Sequence, residues 1–441
     1  MSTSTFALNI KKTPPPIPPG MKSVEIGIPF QTPILNEIKA LGAKKVFVLS
    51  NNSSRQFLEG EGKLIEALKA EGILACPLNS SVKMGGAEEG LLVACDEAYD
   101  NDIDCVVTVG GGAVQDAGKF IRLWLTTRSN NSLDEGEKKA TIRDLLAAQK
   151  QDPMPALPPQ IACPNSFAMA EASYVAGLET SAKTKSGAAI PVLMPTTVIY
   201  DPALSEGLPE WVRFGTALRA VEHTTGAVCH PKADDDVREQ ALRGLELLKD
   251  GINVMLKDPE SEEAQSNIYL GGWIGIRALN KGKGLNNVQS HFSLKYFFLN
   301  LVTSICFYIF ISSGCYPALG HLIQNHYSSK FNVHQGSCSG ILSARILHYH
   351  YSETKSYQNR ISAALGEANT PAYILVTKLV SQLPGVAKDH EEVGVTPEKL
   401  EYFASWMFDN HIARLNMLSP KKFETAKDIL DMIAFPLDKM V

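Results

Sequence analysis

The chain has 441 residues, 42 Lys+Arg against 47 Asp+Glu, a formal net charge of -5, and 44% hydrophobic residues. This is ordinary globular composition with enough apolar material for a large core, and it excludes a disordered or collagen-like chain. Without a Lys/Arg surplus there is no electrostatic reason to expect a nucleic acid partner.

In chain order, residues 1–20 (MSTSTFALNIKKTPPPIPPG) hold no apolar core of signal-peptide length, and their proline cluster reads as an extended arm. The first half then alternates strand and helix. Residues 44–50 (KKVFVLS) form a β-branched run, 55–72 show helical spacing of Leu58, Leu64, Ile65 and Leu68, and 73–78 (ILACPL) read as a second strand. A helix is expected over 87–99, a strand ending in glycines over 104–112, a helix over 113–125, and strands over 159–166 and 196–202. This alternation implies βαβ units and a mainly parallel sheet. Residues 128–158 read as a polar surface excursion. After the turn formers of 201–209 (DPALSEGLP) the pattern becomes helical, with periodic runs near 237–248, 360–383, 397–408 and 420–433.

Eight cysteines with no CxxC spacing exclude a zinc ribbon and fit buried free thiols in a reducing, cytoplasmic setting. None of the ten histidines precedes His223, and eight lie between His223 and His350. The glycine-rich loop thus falls in the first half and the titratable chemistry in the second. A cleft between two such domains is the natural place for cofactor and substrate to meet.

VVTVGGGAVQDAGK (residues 106–119) is an apolar strand, three glycines and a helix start. Glycines let a backbone approach a pyrophosphate, and the helix N-terminus offers unpaired amides and a favourable dipole. The alternative is a plain tight turn. Asn51 follows the 44–50 strand, where dinucleotide folds meet the adenosine ribose; asparagine there does not exclude a 2′-phosphate.

With these features in order, the chain resembles the iron-containing (group III) alcohol dehydrogenase superfamily with its dehydroquinate synthase-like fold, and within it the maleylacetate reductases. Gly110, Gly111, Gly112, Asp116 and Lys119 match GGGSxxDxxK, with Ala113 for the serine. CPNSFAMAEASYVAG (163–177) resembles PTTYAGSEMTPIYG, with Asn165 and Ser166 for the two threonines. The resemblance implies an α/β N-terminal dinucleotide-binding domain (residues 21–205), an all-α C-terminal catalytic domain (206–441), and a cofactor site at Gly110, Gly111, Gly112, Asp116, Lys119, Asn51, Asn165 and Ser166.

The family's metal-dependent members carry an Asp and a His four apart on one helix, then two further histidines. Here RAVEH places Arg219 at the aspartate and keeps His223; GCYPALGH places Pro317 at the third ligand position and keeps His321; HQG matches the fourth with His334. A guanidinium offers no lone pair. The resemblance therefore implies NADH or NADPH with no metal, and a small carboxylated oxo or enoyl substrate. Arg219 and His223 would clamp a carboxylate or enolate, His321 would donate the proton and His334 would orient. Surface pairing of Arg219 with Glu222 or Glu239 is the plain structural alternative. A ketone or aldehyde reductase of a specialised pathway and a catalytically degenerate member are the rival functions. The resemblance also makes a homo-oligomer the assembly to expect.

Residues 296–329 contain no Asp, Glu, Lys or Arg, and the apolar run 296–315 has the length of a membrane span. Its flanks belong to one helical domain, which argues against crossing a membrane. An interface or membrane-surface helix is one reading; the preferred one takes residues 290–313 as an insertion foreign to the fold, such as translated intron, because their removal restores family spacing.

Overall fold

The computed structural model describes residues 21–83, 85–130, 141–149, 156–182, 184–281 and 318–440. The arm at 1–20, the insertion at 290–313, Pro317 and parts of the 128–158 excursion lie outside the described residues. No helix of the described residues is long and apolar enough to cross a membrane. The chain divides into two compact units, Met1–Leu208 with Glu260–Tyr269, and Pro209–Pro259 with Leu270–Val441. The division falls at 208/209 where the sequence reading put 205/206. The 260–269 segment, assigned above to the helical domain, clusters with the first unit.

The first unit is built on a five-stranded parallel sheet in the order β1-β7-β4-β3-β2. Its strands are β1 (Ser23–Ile26), β2 (Val46–Ser50), β3 (Cys105–Gly110), β4 (Gln160–Pro164) and β7 (Thr197–Tyr200). An antiparallel hairpin, β5 (Val175–Glu179) with β6 (Lys185–Ala189), stands apart from the sheet. Helices α1 (Gln31–Leu41), α2 (Leu64–Ala70), α3 (Glu88–Asp100), α4 (Gly112–Asn130) and α5 (Ile142–Ala148) connect them.

Every residue of β2, β3 and β4 is buried, as expected for a parallel sheet covered on both faces. Side-chain alternation sorts them into two cores. Val46, Val48, Val107 and Val109 join Ile34, Ile38, Leu64 and Leu68 of α1 and α2 on one face. Phe47, Leu49 and Val106 join Leu91, Phe120 and Trp124 of α3 and α4 on the other. Each fully buried aliphatic side chain contributes about 1.5–3 kcal/mol of transfer free energy.

Three local departures from the sequence reading have physical causes. The helix expected over 55–72 breaks into Arg55–Leu58 and α2, because Gly60 (φ 126°) and Gly62 (φ 73°) leave the helical region. The strand expected at 73–78 survives only as bridges Val46↔Leu74 and Leu49↔Asn79 beside β2, since Pro77 has no amide to extend the ladder. The 360–383 run forms two helices, separated by Gly366 (φ 95°) and Pro371.

The second unit is helical: α6 (Glu210–Cys229), α7 (Asp235–Met255), the second half of α8 (Glu262–Lys281), α9 (Leu319–Phe331), α10 (Gln335–Tyr349), α11 (Tyr351–Ala364), α12 (Ala372–Gln382), α13 (Pro397–Leu418) and α14 (Ala426–Ile433). Helix α6 is buried along nearly its whole length from Arg213 to Val228. Small residues bring its neighbours close. A Cβ on Gly275 of α8 would lie 2.3 Å from Thr224 Cγ2, and one on Gly336 of α10 would lie 2.6 Å from the Gly215 backbone. The second crossing sets the start of α10, and with it His334, against α6. The remaining core gathers Ile323, Tyr327, Ile341, Phe403, Met407 and Ile429 from α9, α10, α13 and α14.

Candidate functional site

In the first unit the parallel register brings the carboxyl ends of β2, β3 and β4 together. Ser50 pairs with Val109, and Gly110 with Pro164. Asn51, Gly110, Gly111, Gly112, Asn165 and Ser166 therefore share one end of the sheet. The turn between β3 and α4 is braced from beneath: buried Gln115 donates to Gly110 O (2.9 Å) and accepts from Thr108 Oγ1 (2.7 Å). A Cβ on Gly111 would meet only Ser166 Oγ at 3.4 Å and Asn165 Oδ1 at 3.6 Å, so space stays open above the first turn of α4. The leading amides of a helix have no intrahelical acceptor and favour an anion there. Asn165 Nδ2 donates to Ser54 Oγ (2.9 Å), while its buried Oδ1 has no partner among the described residues. Asn51 Oδ1 is committed to a local cap, accepting from Ser54 N and Ser53 Oγ.

Two predicted cofactor residues are corrected by the geometry. Lys119 is fully buried, and its Nζ donates to Asp116 Oδ1 (3.0 Å), Ala170 O (2.7 Å) and Val175 O (2.6 Å). Asp116 Oδ2 in turn accepts from Gly177 N (3.0 Å). An ammonium has three protons to donate and all three are used. The pair fastens α4 to β5 and does not present a cation to a phosphate. Nearby, burial pushes the Glu171 carboxyl up to about 7, although the Tyr200 hydroxyl donates to its Oε1 (2.7 Å).

In the second unit Arg219 and His223 lie one turn apart on α6 and meet α9 and α10. Arg219 is 4% exposed. Its Nη1 donates to Gln324 Oε1 (3.3 Å), and its Nη2 to His321 Nδ1 (3.1 Å) and Asn325 Oδ1 (3.3 Å). Gln335 and Ser339 of α10 hold those amides, donating to Asn325 Oδ1 and Gln324 Oε1 at 2.9 Å each. The surface alternative for Arg219 holds only in part: Arg219 is buried and Glu239 pairs with Arg360 at 2.6 Å, but the guanidinium does act on the neighbouring Glu222 carboxyl, lowering it against the larger upward push of burial. The His223 and His321 ring centroids lie 4.9 Å apart. His334 caps α10, its Nδ1 accepting from Gly336 N (3.1 Å), and meets Trp211 edge-on at 4.8 Å.

Charge states follow from burial. Burial, then the Arg219 guanidinium, hold His223 and His321 well below the usual imidazole range; His321 also feels His223 and Arg414. The same two causes push His334 down to about 4. These imidazoles are neutral at pH 7, so His321, expected to donate the proton, carries no second proton to give. A guanidinium can only donate, so His321 Nδ1 accepts and its Nε2 carries the proton. Glu222, which the sequence offered only as a pairing partner for Arg219, lies between Arg219 and His223 along α6. Burial pushes its carboxyl up to about 7, and its Oε2 lies 3.4 Å from His223 Nδ1 with neither atom hydrogen-bonded among the described residues. Sequence reasoning missed Gln324 and Asn325; their spacing of three and four from His321 on one helix was the available signal.

Ligand atoms of Glu222, His223 and His321 lie within 4.8 Å of one another, so the donors for a metal require a test. Both His321 nitrogens are committed, one to Arg219 and one to its own proton, so neither offers a lone pair while that contact stands. A metal-bound imidazole instead donates from its second nitrogen to an acceptor. The guanidinium would also stand beside the ion. As placed, with Arg219 donating to His321 Nδ1, the three residues do not together present three lone pairs to a metal.

The family profile "Iron-containing alcohol dehydrogenase" matches residues 32–202. Maleylacetate reductase 1 of Rhodococcus opacus is 22% identical over 241 residues, 55% of this chain and 57% of that protein. This chain thus aligns with less than two thirds of the length of the first curated relatives it matches. The structure of maleylacetate reductase from Rhizobium sp. strain MTP-10005 superposes with a TM-score of 0.68 at 18% identity, covering 96% of this chain and 97% of that one. The NADH-dependent butanol dehydrogenase A of Thermotoga maritima superposes with a TM-score of 0.70 at 17% identity, covering 94% and 96%. With the glycine loop and the helical second unit in place, residues 32–202 match the iron-containing alcohol dehydrogenase family, the chain shares that fold, and it is similar in sequence to maleylacetate reductases.

Proposed function

We propose that the chain is a cytoplasmic NAD(P)H-dependent reductase of the maleylacetate reductase type, acting without a metal on a small carboxylated oxo or enoyl substrate. The observation that carries this reading is Arg219: a buried guanidinium whose named hydrogen-bond partners are all neutral, flanked by neutral histidines. Such a group is suited to a carboxylate or a developing oxyanion, which it meets with two parallel N–H donors. The nicotinamide, when bound, supplies the hydride. Electrons displaced from the substrate's double bond collect on its oxygen. Arg219 and the Nε2–H of His321 then act as preorganised donors to that oxygen, and a proton from solvent completes the reduction, so neither donor has to lose its own. A neutral imidazole can serve as an electrophile in this way. The open glycine turn and the first turn of α4 would take the cofactor pyrophosphate, with Asn165 and Ser166 beside it and Asn51 toward the ribose.

The experiment is steady-state turnover of the purified chain with NADH or NADPH against 2-maleylacetate and against an uncharged ketone of similar size. Preference for the carboxylated substrate that disappears in Arg219→Ala supports the reading. Equal turnover of both substrates, unchanged in the variant, would defeat it.

A further inference from the structure

In the first unit, the turn that follows β4 is moulded onto the start of α4. Asn165 N donates to Gly110 O (3.2 Å). A Cβ on Gly112 would lie 3.3 Å from Ala168 Cβ and 3.5 Å from Ala170 Cβ. Between those two alanines Met169 takes φ 59°, the left-handed region that few non-glycine residues adopt. The reversal brings Ala170 O to Lys119 Nζ (2.7 Å) and the Glu171 side chain to the Tyr200 hydroxyl of β7 (2.7 Å). Glu171 follows Ala170 directly, so any charge it carries arises beside the first turn of α4.

Glu171 is 1% exposed. Its Oε1 accepts from Tyr200, and its Oε2 has no hydrogen-bond partner among the described residues. An ionised carboxylate away from water is normally held by two or three donors. The neighbouring cation does not supply them, because Lys119 is spent on Asp116 and two carbonyls. Burial pushes the carboxyl up to about 7, against the Tyr200 hydroxyl, its own amide and Lys119, while Asp116 pushes the same way as burial. Burial also raises the Tyr200 hydroxyl well above its ordinary value, so it keeps its proton. The carboxyl is therefore the group beside this turn whose charge changes near neutral pH. Resting on the reading of the glycine turn as the pyrophosphate site, we propose that Glu171 is a positioning residue that makes cofactor binding proton-linked. Protonated, it holds the turn through Tyr200 and leaves the doubly negative pyrophosphate unopposed. Ionised, it repels the pyrophosphate through a buried, low-dielectric wall. By reciprocity, cofactor binding draws one proton from solvent onto Glu171.

The test is fluorescence titration of the full chain with NADH and NADPH between about pH 6 and pH 8.5, in the parent, Glu171→Gln and Tyr200→Phe. Parent affinity should fall about tenfold as pH rises through 7, and binding in weak buffer above pH 7 should take up protons. Glu171→Gln keeps an acceptor for Tyr200 and should retain the low-pH affinity throughout, without that uptake. Its comparison with the parent cancels any titration of the cofactor itself. Tyr200→Phe removes a donor that favours the ionised carboxyl, so the fall should move to higher pH. A purely structural Glu171 would instead give a Gln variant weakened equally at every pH. That result, a parent affinity flat with pH, or a pH dependence that survives in Glu171→Gln would overturn the proposal and leave the cofactor reading standing. No binding of either nucleotide at any pH would defeat both.

Discussion

The glycine loop of the first unit and the α6 cluster of the second treat their polar residues in opposite ways. Around the loop, the charged residues of the motif are saturated: Lys119 spends all three protons on Asp116 and two carbonyls, and Gln115 is bonded at both ends. Around α6, the guanidinium's named hydrogen-bond acceptors are all neutral, while Glu222 Oε2, His223 Nδ1 and Gln324 Nε2 have no hydrogen-bond partner among the described residues. Saturated charges hold a backbone in place. Unsaturated ones keep a capacity for something not yet bound, and a fold retains them only where that capacity matters. On the proposed function, the loop acts through its bare backbone and the cluster through its side chains.

Two substitutions should separate the halves most widely. Arg219→Ala should lower kcat/KM for a carboxylated substrate about a hundred- to thousandfold, the loss of two charge-assisted hydrogen bonds. Thermal stability should change little by comparison, and Arg219→Lys should not restore activity because an ammonium cannot make the paired contact. Lys119→Met should do the reverse. It strands Asp116 and two buried carbonyls, so denaturant unfolding should show a loss of about 3–4 kcal/mol. The KM for cofactor in the folded fraction should stay the same. A large cofactor KM effect with intact stability would return Lys119 to the binding site.

The next test concerns Glu222. Burial raises its carboxyl from 4.5 to about 7, so the carboxyl contributes stability that is full below the unfolded value and is lost as pH rises through 7. Glu222→Gln removes that loss. Relative to the parent, the variant should gain roughly 2–3 kcal/mol between about pH 4.5 and pH 8. Histidines such as His334, held at about 4, act with the opposite sign. Their contribution is present above the unfolded histidine value and is lost as pH falls toward 4, in parent and variant alike. Parallel stability curves for the two proteins would mean that Glu222 is not raised.

How far the sequence could be read follows the same division. Four of the five strands of the sheet and the glycine turn were legible because β-branched runs and glycine punctuation are local signals; the short β1 (SVEI) was not. The break at Gly60 and Gly62 inside a helical pattern was not, since spacing alone cannot tell an interior glycine from a terminal one. The β5–β6 hairpin was also missed. Its strands, VAGLE and KSGAA, carry little of the β-branched or aromatic signal. Motif matching found Asp116 and Lys119 but could not say which way they point, and only the hairpin they fasten gives them their role. On α6 the spacing of Arg219 and His223 was legible. The neutrality of His321 was not, because it depends on burial and on a guanidinium 102 residues away in sequence.

A smaller effect should come from the loop backbone. Gly111→Ala adds a methyl within ordinary contact distance of Ser166 and Asn165, so stability should hold. The methyl occupies the space a pyrophosphate needs, and cofactor affinity should fall about tenfold by fluorescence titration. Gly118→Ala is the matched control. Its Cβ would lie 2.5 Å from Thr108 Cγ2, so it should destabilise the unit. If the two variants behaved alike, the open space above α4 would not be a cofactor site.

The smallest expected effect is none at all, and it bears on the cluster most directly. Incubation with a strong chelator followed by desalting should leave turnover unchanged, and added divalent ions should not raise it. The reason lies in the tautomer. While Arg219 donates to His321 Nδ1, the other nitrogen keeps its proton, and the Glu222–His223–His321 group lacks the third lone pair a tight site requires. Arg219→Ala sharpens the point, because it frees His321 Nδ1 and removes the competing positive charge. That variant should therefore bind zinc more tightly than the parent by calorimetry. Equal zinc affinity in both proteins, or chelator-sensitive turnover in the parent, would show that Arg219 does not exclude a metal.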